Sequence, residues 1–189
     1  LRRLAVRTIA PFINGGVALE VGCSNGLTTE LLSPLVDFLD VVEGSKVFLE
    51  QTKRKNLPNL TYHHALIEEF STKRRYNYVF AMAVLHHVRD VPAVLRSIRR
   101  LLKPRGLLFV VVPNARVLSR QLALHMGLVP SLHALTENDL DHGLRRRYDR
   151  VSLNKELETA GFETVAQGGI MLKVLADFQM DRLYKEKIL

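Results

Sequence analysis

The stretch Glu20-Val21-Gly22-Cys23-Ser24-Asn25-Gly26 decides the fold. It is a glycine-rich turn that follows a short apolar run, Val17 to Val21, and leads into a helical pattern. Such a turn at the carboxyl end of a buried strand lets a ligand approach the backbone. Gly22 and Gly26 remove side chains where the ligand passes, and a helix starting near Asn25 offers free N–H groups. Glu43 closes the next apolar run, Phe38 to Val42, and so falls beside the turn. A carboxylate there accepts two hydrogen bonds from a ribose diol. The turn and Glu43 together imply an adenosine-type cofactor, which neither implies alone.

Outward from this turn, helical and strand patterns alternate. Leu1 to Phe12 is helical, Val17 to Val21 a strand, Thr28 to Leu35 helical and Phe38 to Val42 a strand. Lys46 to Lys55 is helical, and Leu60 to His64 and Tyr78 to Met82 are strands. Pro92 to Leu102 is helical with proline in its first turn, and Gly106 to Val112 is the most apolar strand. Strands at this spacing imply a parallel sheet covered on both faces. From Asn114 to Arg150 the chain turns polar and His-rich, and Thr136-Glu137-Asn138-Asp139 has the form of a capping box. Ser152 is then expected to cap a helix running to Ala160 and stopped by Gly161. Phe162 to Ala166 and Ile170 to Val174 read as two last strands joined through Gly168-Gly169. The expected fold is α/β: a Rossmann-like, doubly wound, mostly parallel seven-stranded sheet with helices on both faces. It forms one domain over 1–189, with a small helical insertion, about 114–150, after the fifth strand.

A dinucleotide loop wants G-x-G-x-x-G/A, and aligned on Gly22 this chain has Ser24 and Leu27 at the second and third glycines. The spacing fits E-x-G-x-[GS]-x-G instead. With it come Val42-Glu43-Gly44, the Tyr78-to-Val88 segment and Leu101-Leu102-Lys103-Pro104-Arg105-Gly106-Leu107-Leu108. In this order, over roughly residues 17 to 113, the chain resembles the class I S-adenosylmethionine-dependent methyltransferases. Asn114, the stretch Gly143 to Leu153 and Ala160-Gly161-Phe162 resemble the tail of the small-molecule branch.

The resemblance places Glu20, Gly22, Cys23, Ser24 and Gly26 against S-adenosylmethionine, with Glu43 and Gly44 at its ribose. It puts Ala65 and Leu66 at the adenine, and Met82 and Ala83 at the methionine end. His64 stands where relatives carry an Asp toward the adenine amino group, so Glu68 or the backbone substitutes there. Asn77 and Arg105 also depart from the family pattern, in ways that read as structural. A sulfonium methyl group is already activated, so the reaction is an in-line displacement in which alignment is worth up to roughly 7–11 kcal/mol. A hydroxyl acceptor also gains from a base. His86 and His87, just past the fourth strand, are the candidate catalytic residues; the competing reading is that one packs while the other faces solvent. His125 and Tyr148 are candidate substrate contacts from the insertion, Tyr148 alternatively packing on the last helix. His133 and His142 share the insertion, and the remaining acids and histidines show no metal-ligand spacing, so no metal is expected.

Composition narrows the remaining classes. The chain has 189 residues, 47% of them hydrophobic and 24% charged, which are ordinary globular values. No run is long and apolar enough to span a bilayer, and no apolar core follows Leu1-Arg2-Arg3-Leu4 as a signal peptide requires. The chain opens on Leu1 rather than Met, as a piece of a longer protein would. The lone Cys23 excludes an internal disulfide, and the expected setting is the cytoplasm. Twenty-seven basic against 19 acidic residues give +8, which suits an anionic small-molecule acceptor. Two alternatives stay open: an RNA methyltransferase using the basic clusters, and an inactive S-adenosylmethionine-binding domain. Against RNA stand the lack of Trp and of an Asn-Pro-Pro-Tyr-type motif.

Overall fold

The β-branched and leucine-rich runs form five parallel strands: β1 (Val17–Val21), β2 (Phe38–Glu43), β3 (Leu60–His64), β4 (Tyr76–Met82) and β5 (Leu102–Val111). The computed structural model describes residues 1–172 together with Arg182, Lys185 and Glu186. The sheet order is β3-β2-β1-β4-β5, so the direction of winding reverses between β1 and β4. Strands buried on both faces alternate their side chains between two cores. Leu19 and Val21 face one side with Val94, Leu95 and Ile98. Ala18 faces the other with Val6, Leu32, Leu39 and Phe80.

The helices are α1 (Arg2–Ile9), α2 (Leu27–Leu32), α3 (Lys46–Lys53), α4 (Val91–Leu101), α5 (Leu118–His125), α6 (Glu137–Asp141) and α7 (Arg150–Thr159). Two expected helices end as 3₁₀ turns, Ala10–Phe12 and Ser33–Leu35, each with proline at its start. The capping box of Thr136 and Asp139 forms as its residues imply. The start of α7 differs from expectation. Asp149 is its N-cap, and Ser152 is the third helical residue, whose hydroxyl accepts from the Asp149 N–H at 3.0 Å. A carboxylate accepts from a helix N-terminus more strongly than a hydroxyl, which moves the start three residues upstream.

The expected seven strands are five among the described residues. Phe162 to Ala166 is not a strand, because its polar neighbours tie it to α7 instead: Thr164 and Gln167 both donate to Asn154 Oδ1. Ile170 to Leu172 is likewise not a strand, and Lys173-Val174 lie outside the described residues. β5 begins with an irregularity. Tyr76 pairs with Leu102 but Tyr78 with Leu107, so Lys103 to Gly106 loop out, with Arg105 at φ +61°.

The link from β3 to β4, residues 65–75, contains no helix. It therefore leaves Asp40 in the middle of β2 to be satisfied by side chains. His63 Nε2 and Arg74 Nη1 each lie 2.7 Å from its oxygens, and the Tyr76 hydroxyl donates to it at 2.9 Å. Removing one member of a buried charged network strands the others. Asp40→Ala is expected to cost about 2–4 kcal/mol in urea unfolding. Arg74→Ala, at the exposed end, is expected to cost about 1 kcal/mol or less.

Candidate active site at the carboxyl edge of the sheet

All five strands run parallel, so their exits lie on one edge, with the winding reversal between β1 and β4 at its middle. Gly22 sits at φ +74°, and a Cβ there would lie 2.8 Å from Val84 Cγ2, so the turn after β1 touches the turn after β4. Gly26, also at φ +74°, caps α2 and lies against Thr52 of α3. A side chain at either position would be both strained and crowded. The helix begins at Leu27, two residues past Asn25, and Asn25 Oδ1 accepts from Arg2 and the Leu27 amide.

The turn is held by Glu43. Its Oε2 accepts from the amides of Cys23 at 2.9 Å and Ser24 at 3.1 Å, and its Oε1 from the amide of Ser45 at 2.8 Å. The carboxylate thus welds the exit of β1 to the exit of β2. Beside it, His64 Nε2 lies 3.1 Å from the Gly44 carbonyl, and Leu66 packs under Gly44. Ala65 donates its amide to Glu43 O. Across the cleft, Ala83 is exposed and held at φ +65°, with its amide bonded to Val111 O. Met82 is half-buried before it. These strand-end residues, expected from the sequence, are brought together on one edge.

Cys23 contributes its backbone only. Its side chain is buried in the core, and burial, partly offset by the Thr52 hydroxyl, pushes the thiol up to about 12. Glu20 is fully buried, and neither carboxylate oxygen has a hydrogen bond of proper geometry; Thr29 Oγ1 and the Tyr62 hydroxyl are unpartnered too. Burial raises the Glu20 pKa to about 8; the Thr29 hydroxyl and Arg2 offset part of this, and Glu43 adds to it. A protonated carboxyl therefore lies below the glycine turn at neutral pH.

The two histidines after β4 differ. His86 is buried with Nδ1 unpartnered, and burial, then the charges of His87 and Arg147, hold its pKa down at about 4. The His87 ring lies against it, tilted by 45° with centroids 4.1 Å apart; it is exposed and places Nδ1 3.0 Å from the Gly143 carbonyl. A carbonyl only accepts, so Nδ1 is the donor, and in the neutral ring Nε2 is the nitrogen left with a lone pair. The loop is clamped from the insertion. Arg146 donates to the carbonyls of Leu85, Val88 and Arg89, and the Arg145 amide donates to His86 O. No sequence signal marked Arg146 apart from its arginine neighbours.

The insertion residues fall elsewhere. Tyr148 is buried in the core, with its hydroxyl donating to Glu156 Oε2 at 2.7 Å, so its polar end is committed to α7. His125 is exposed at the end of α5 and makes no side-chain hydrogen bond among the described residues.

A family model described as a methyltransferase domain matches residues 1–167. The ubiquinone biosynthesis O-methyltransferase of Rhodopseudomonas palustris (strain BisB5) is 27% identical over 168 residues, covering 87% of this chain. The chain spans 65% of that relative's length. A Bacillus halodurans C-125 protein described as a methyltransferase superposes with TM-score 0.68 at 20% identity, over 85% of this chain and 68% of its own. The N-methyltransferase NodS of Bradyrhizobium japonicum WM9, solved with S-adenosyl-L-homocysteine, gives 0.53 at 21% identity, over 57% and 58%. These structural likenesses establish the fold.

The raised Glu20 pKa has a consequence for stability. Between the ordinary value of 4.5 and about 8 the folded chain holds a proton that the unfolded chain has released. Stability from this group is thus complete below pH 4.5 and lost as pH rises through 8. Glu20→Gln is expected to melt higher than the parent above pH 8, by on the order of a few kcal/mol, with the gap closing on acidification. Thermal melts across pH check this.

Proposed function

The chain belongs to the methyltransferase-domain family, and from that premise we propose that it transfers a methyl group from S-adenosylmethionine to a small-molecule acceptor. The observation that carries the reading is the Glu43 carboxylate at the exit of β2, bonded to the glycine-bearing turn of β1, the strand that borders the winding reversal. A carboxylate has about four acceptor positions, and three are used by the amides of Cys23, Ser24 and Ser45. One remains for a ribose hydroxyl. Gly22, having no Cβ, lets the turn after β1 close onto Val84 after β4, so the two exits form one continuous edge along which an extended ligand lies. The residues present therefore fit the cofactor. It supplies an activated methyl group on a sulfonium when bound.

The chain's own residues then do three things. Glu43, Gly44, Ala65 and Leu66 bind the nucleoside end, and Gly22, Ser24, Met82 and Ala83 border the methionine end. Glu20 stays neutral beneath the turn and so adds no charge repulsion to Glu43. His87, oriented by Gly143, turns Nε2 away from that contact and in its neutral form accepts the proton of an acceptor hydroxyl. His86 is a weak base, since its pKa near 4 leaves little driving force for proton removal. His125 stands on the acceptor side of the insertion, while the committed hydroxyl of Tyr148 makes it a support for the site's wall. The cytoplasm is the proposed setting.

An anionic acceptor suits the +8 charge. Exposed Arg96, Arg99 and Arg100 along α4 keep RNA as a second acceptor class, which a steep fall of binding with salt would mark.

Calorimetric titration with S-adenosylhomocysteine, with NAD as control, tests the cofactor. Micromolar binding of the first is expected, weakened at least about tenfold in Glu43→Gln, a loss of roughly 1.4 kcal/mol. Tight NAD binding without the other would overturn the reading. With an acceptor found by screening, His87→Gln is expected to lower kcat by about 10²–10⁴ for oxygen methylation, with KM for the cofactor unchanged. An unaltered kcat would remove His87 from the chemistry.

A further inference from the structure

Residues 83–90, between β4 and α4, form no helix or strand, so their carbonyls need donors from elsewhere. The insertion supplies them. Arg146 Nη1 donates to the carbonyls of Leu85 at 3.2 Å and Val88 at 2.8 Å, and Nη2 donates to that of Arg89 at 3.0 Å. The Arg145 amide donates to His86 O at 2.8 Å. Leu85 precedes the histidine pair, and Val88 and Arg89 follow it. The guanidinium therefore fixes both ends of the segment that carries His87. Arg146 makes no salt bridge among the described residues, whereas Arg147 beside it grips Asp139. Its fork of donors is spent on this loop.

A second connection runs behind the guanidinium. Tyr148 is buried, and its hydroxyl donates to Glu156 Oε2 at 2.7 Å. Burial and then Glu156 push the pKa of that hydroxyl up, while Arg146 lies near enough to pull it the other way. The Glu156 carboxylate, the Tyr148 hydroxyl and the Arg146 guanidinium thus form a polar chain from α7 to the loop after β4. Three carbonyls arranged around one side chain need several donors held in a plane. A guanidinium meets that need, and the single ammonium of a lysine does not.

The clamp bears on the chemistry through a tautomer. Among the described residues, the His87 ring makes one hydrogen bond, from Nδ1 to the Gly143 carbonyl, three residues before Arg146. The proton of a neutral imidazole sits where the partner of the other nitrogen requires it, and a carbonyl requires Nδ1–H. In water the ring by itself favours the proton on Nε2. The contact holds against that preference while the loop after β4 and the insertion stay fixed to each other. We propose that Arg146 is a positioning residue: by clamping this loop to the insertion it keeps the Gly143 carbonyl on His87 Nδ1, and so leaves Nε2 as the nitrogen that takes the acceptor's proton. This role rests on the reading of His87 as the base.

Nitrogen NMR of the whole chain with labelled histidines tests it, in mildly alkaline solution where neutral imidazole is the rule. His87→Gln identifies the His87 signals by their loss. The parent is expected to show His87 mainly as Nδ1–H. Arg146→Gln is expected to invert the ratio, to at least about threefold in favour of Nε2–H, with Arg146→Lys between the two. His63, on β3 at the far edge of the sheet and bonded to Asp40, is the control and is expected to keep its signals. Nδ1–H retained by His87 in both Arg146 variants would overturn the proposal. So would Nε2–H in the parent, or a change that reaches His63, since Arg146 would then support the fold at large. The tautomer is read without cofactor or acceptor, so a failed clamp is distinguished from a failed methyl-transfer reading, which the S-adenosylhomocysteine titration decides. With an acceptor found, Arg146→Gln is expected to lower kcat at least about tenfold with KM for the cofactor unchanged.

Discussion

The carboxylate of Glu43 is the constraint on which the candidate site depends. A parallel sheet ends in a row of independent turns, and nothing in strand pairing fixes one exit against the next. Glu43 removes that freedom by accepting three amide protons from two turns. Charge-assisted bonds of this sort are stronger than neutral ones and carry a direction. They hold Ser24 at φ +49°, a left-handed conformation that costs a non-glycine residue about 1–2 kcal/mol. The cleft on the other side is shaped by Ala83, also left-handed and pinned to Val111. Local strain is thus concentrated where the strand exits face one another, and the buried sheet beneath over-determines it.

The second feature of the edge is uncompensated polarity. Glu20 and His86 are both buried with unpartnered atoms, and burial drives both toward their neutral forms. Neutral groups keep the electrostatics beneath the cleft quiet, so that the charged contacts of the turn are those made by Glu43 and Arg2. His87 differs from His86 by one residue and by exposure alone, yet the Gly143 carbonyl selects its tautomer. The orientation of the His87 ring is therefore set by a contact from 56 residues away, across the fold, rather than by the loop that carries it.

That contact belongs to a wider attachment. The insertion is fastened by arginines turned inward: Arg146 onto three carbonyls after β4, Arg147 onto Asp139, Arg120 onto the turn before α6. Guanidinium groups suit this because they present several donors in a fixed fork. The consequence is that basic residues support the insertion while several of its leucines remain outside. The positive charge that reads from composition as suited to an anionic acceptor is, in part, internal scaffolding.

The sequence by itself determined the five strands, their parallel arrangement and the residues at their exits. Those are set by local pattern: apolar runs of strand length, glycine where the chain must turn, an acid closing the second run. Glu43 and Gly22 were legible because backbone geometry near a ligand leaves few residue choices. The partners of long polar side chains were not legible. Phe162 to Ala166 has the pattern of a strand, but Asn154 holds its neighbours against α7, and a strand needs an edge to pair with. Tyr148 has a place in the family pattern, but Glu156 decides where its hydroxyl goes. Arg120 reads as a surface residue until Leu132 and Ala134 turn their carbonyls to it. Periodicity records which way a side chain leaves its own backbone. What meets it there is supplied by elements distant in the chain, and only the tertiary structure decides that.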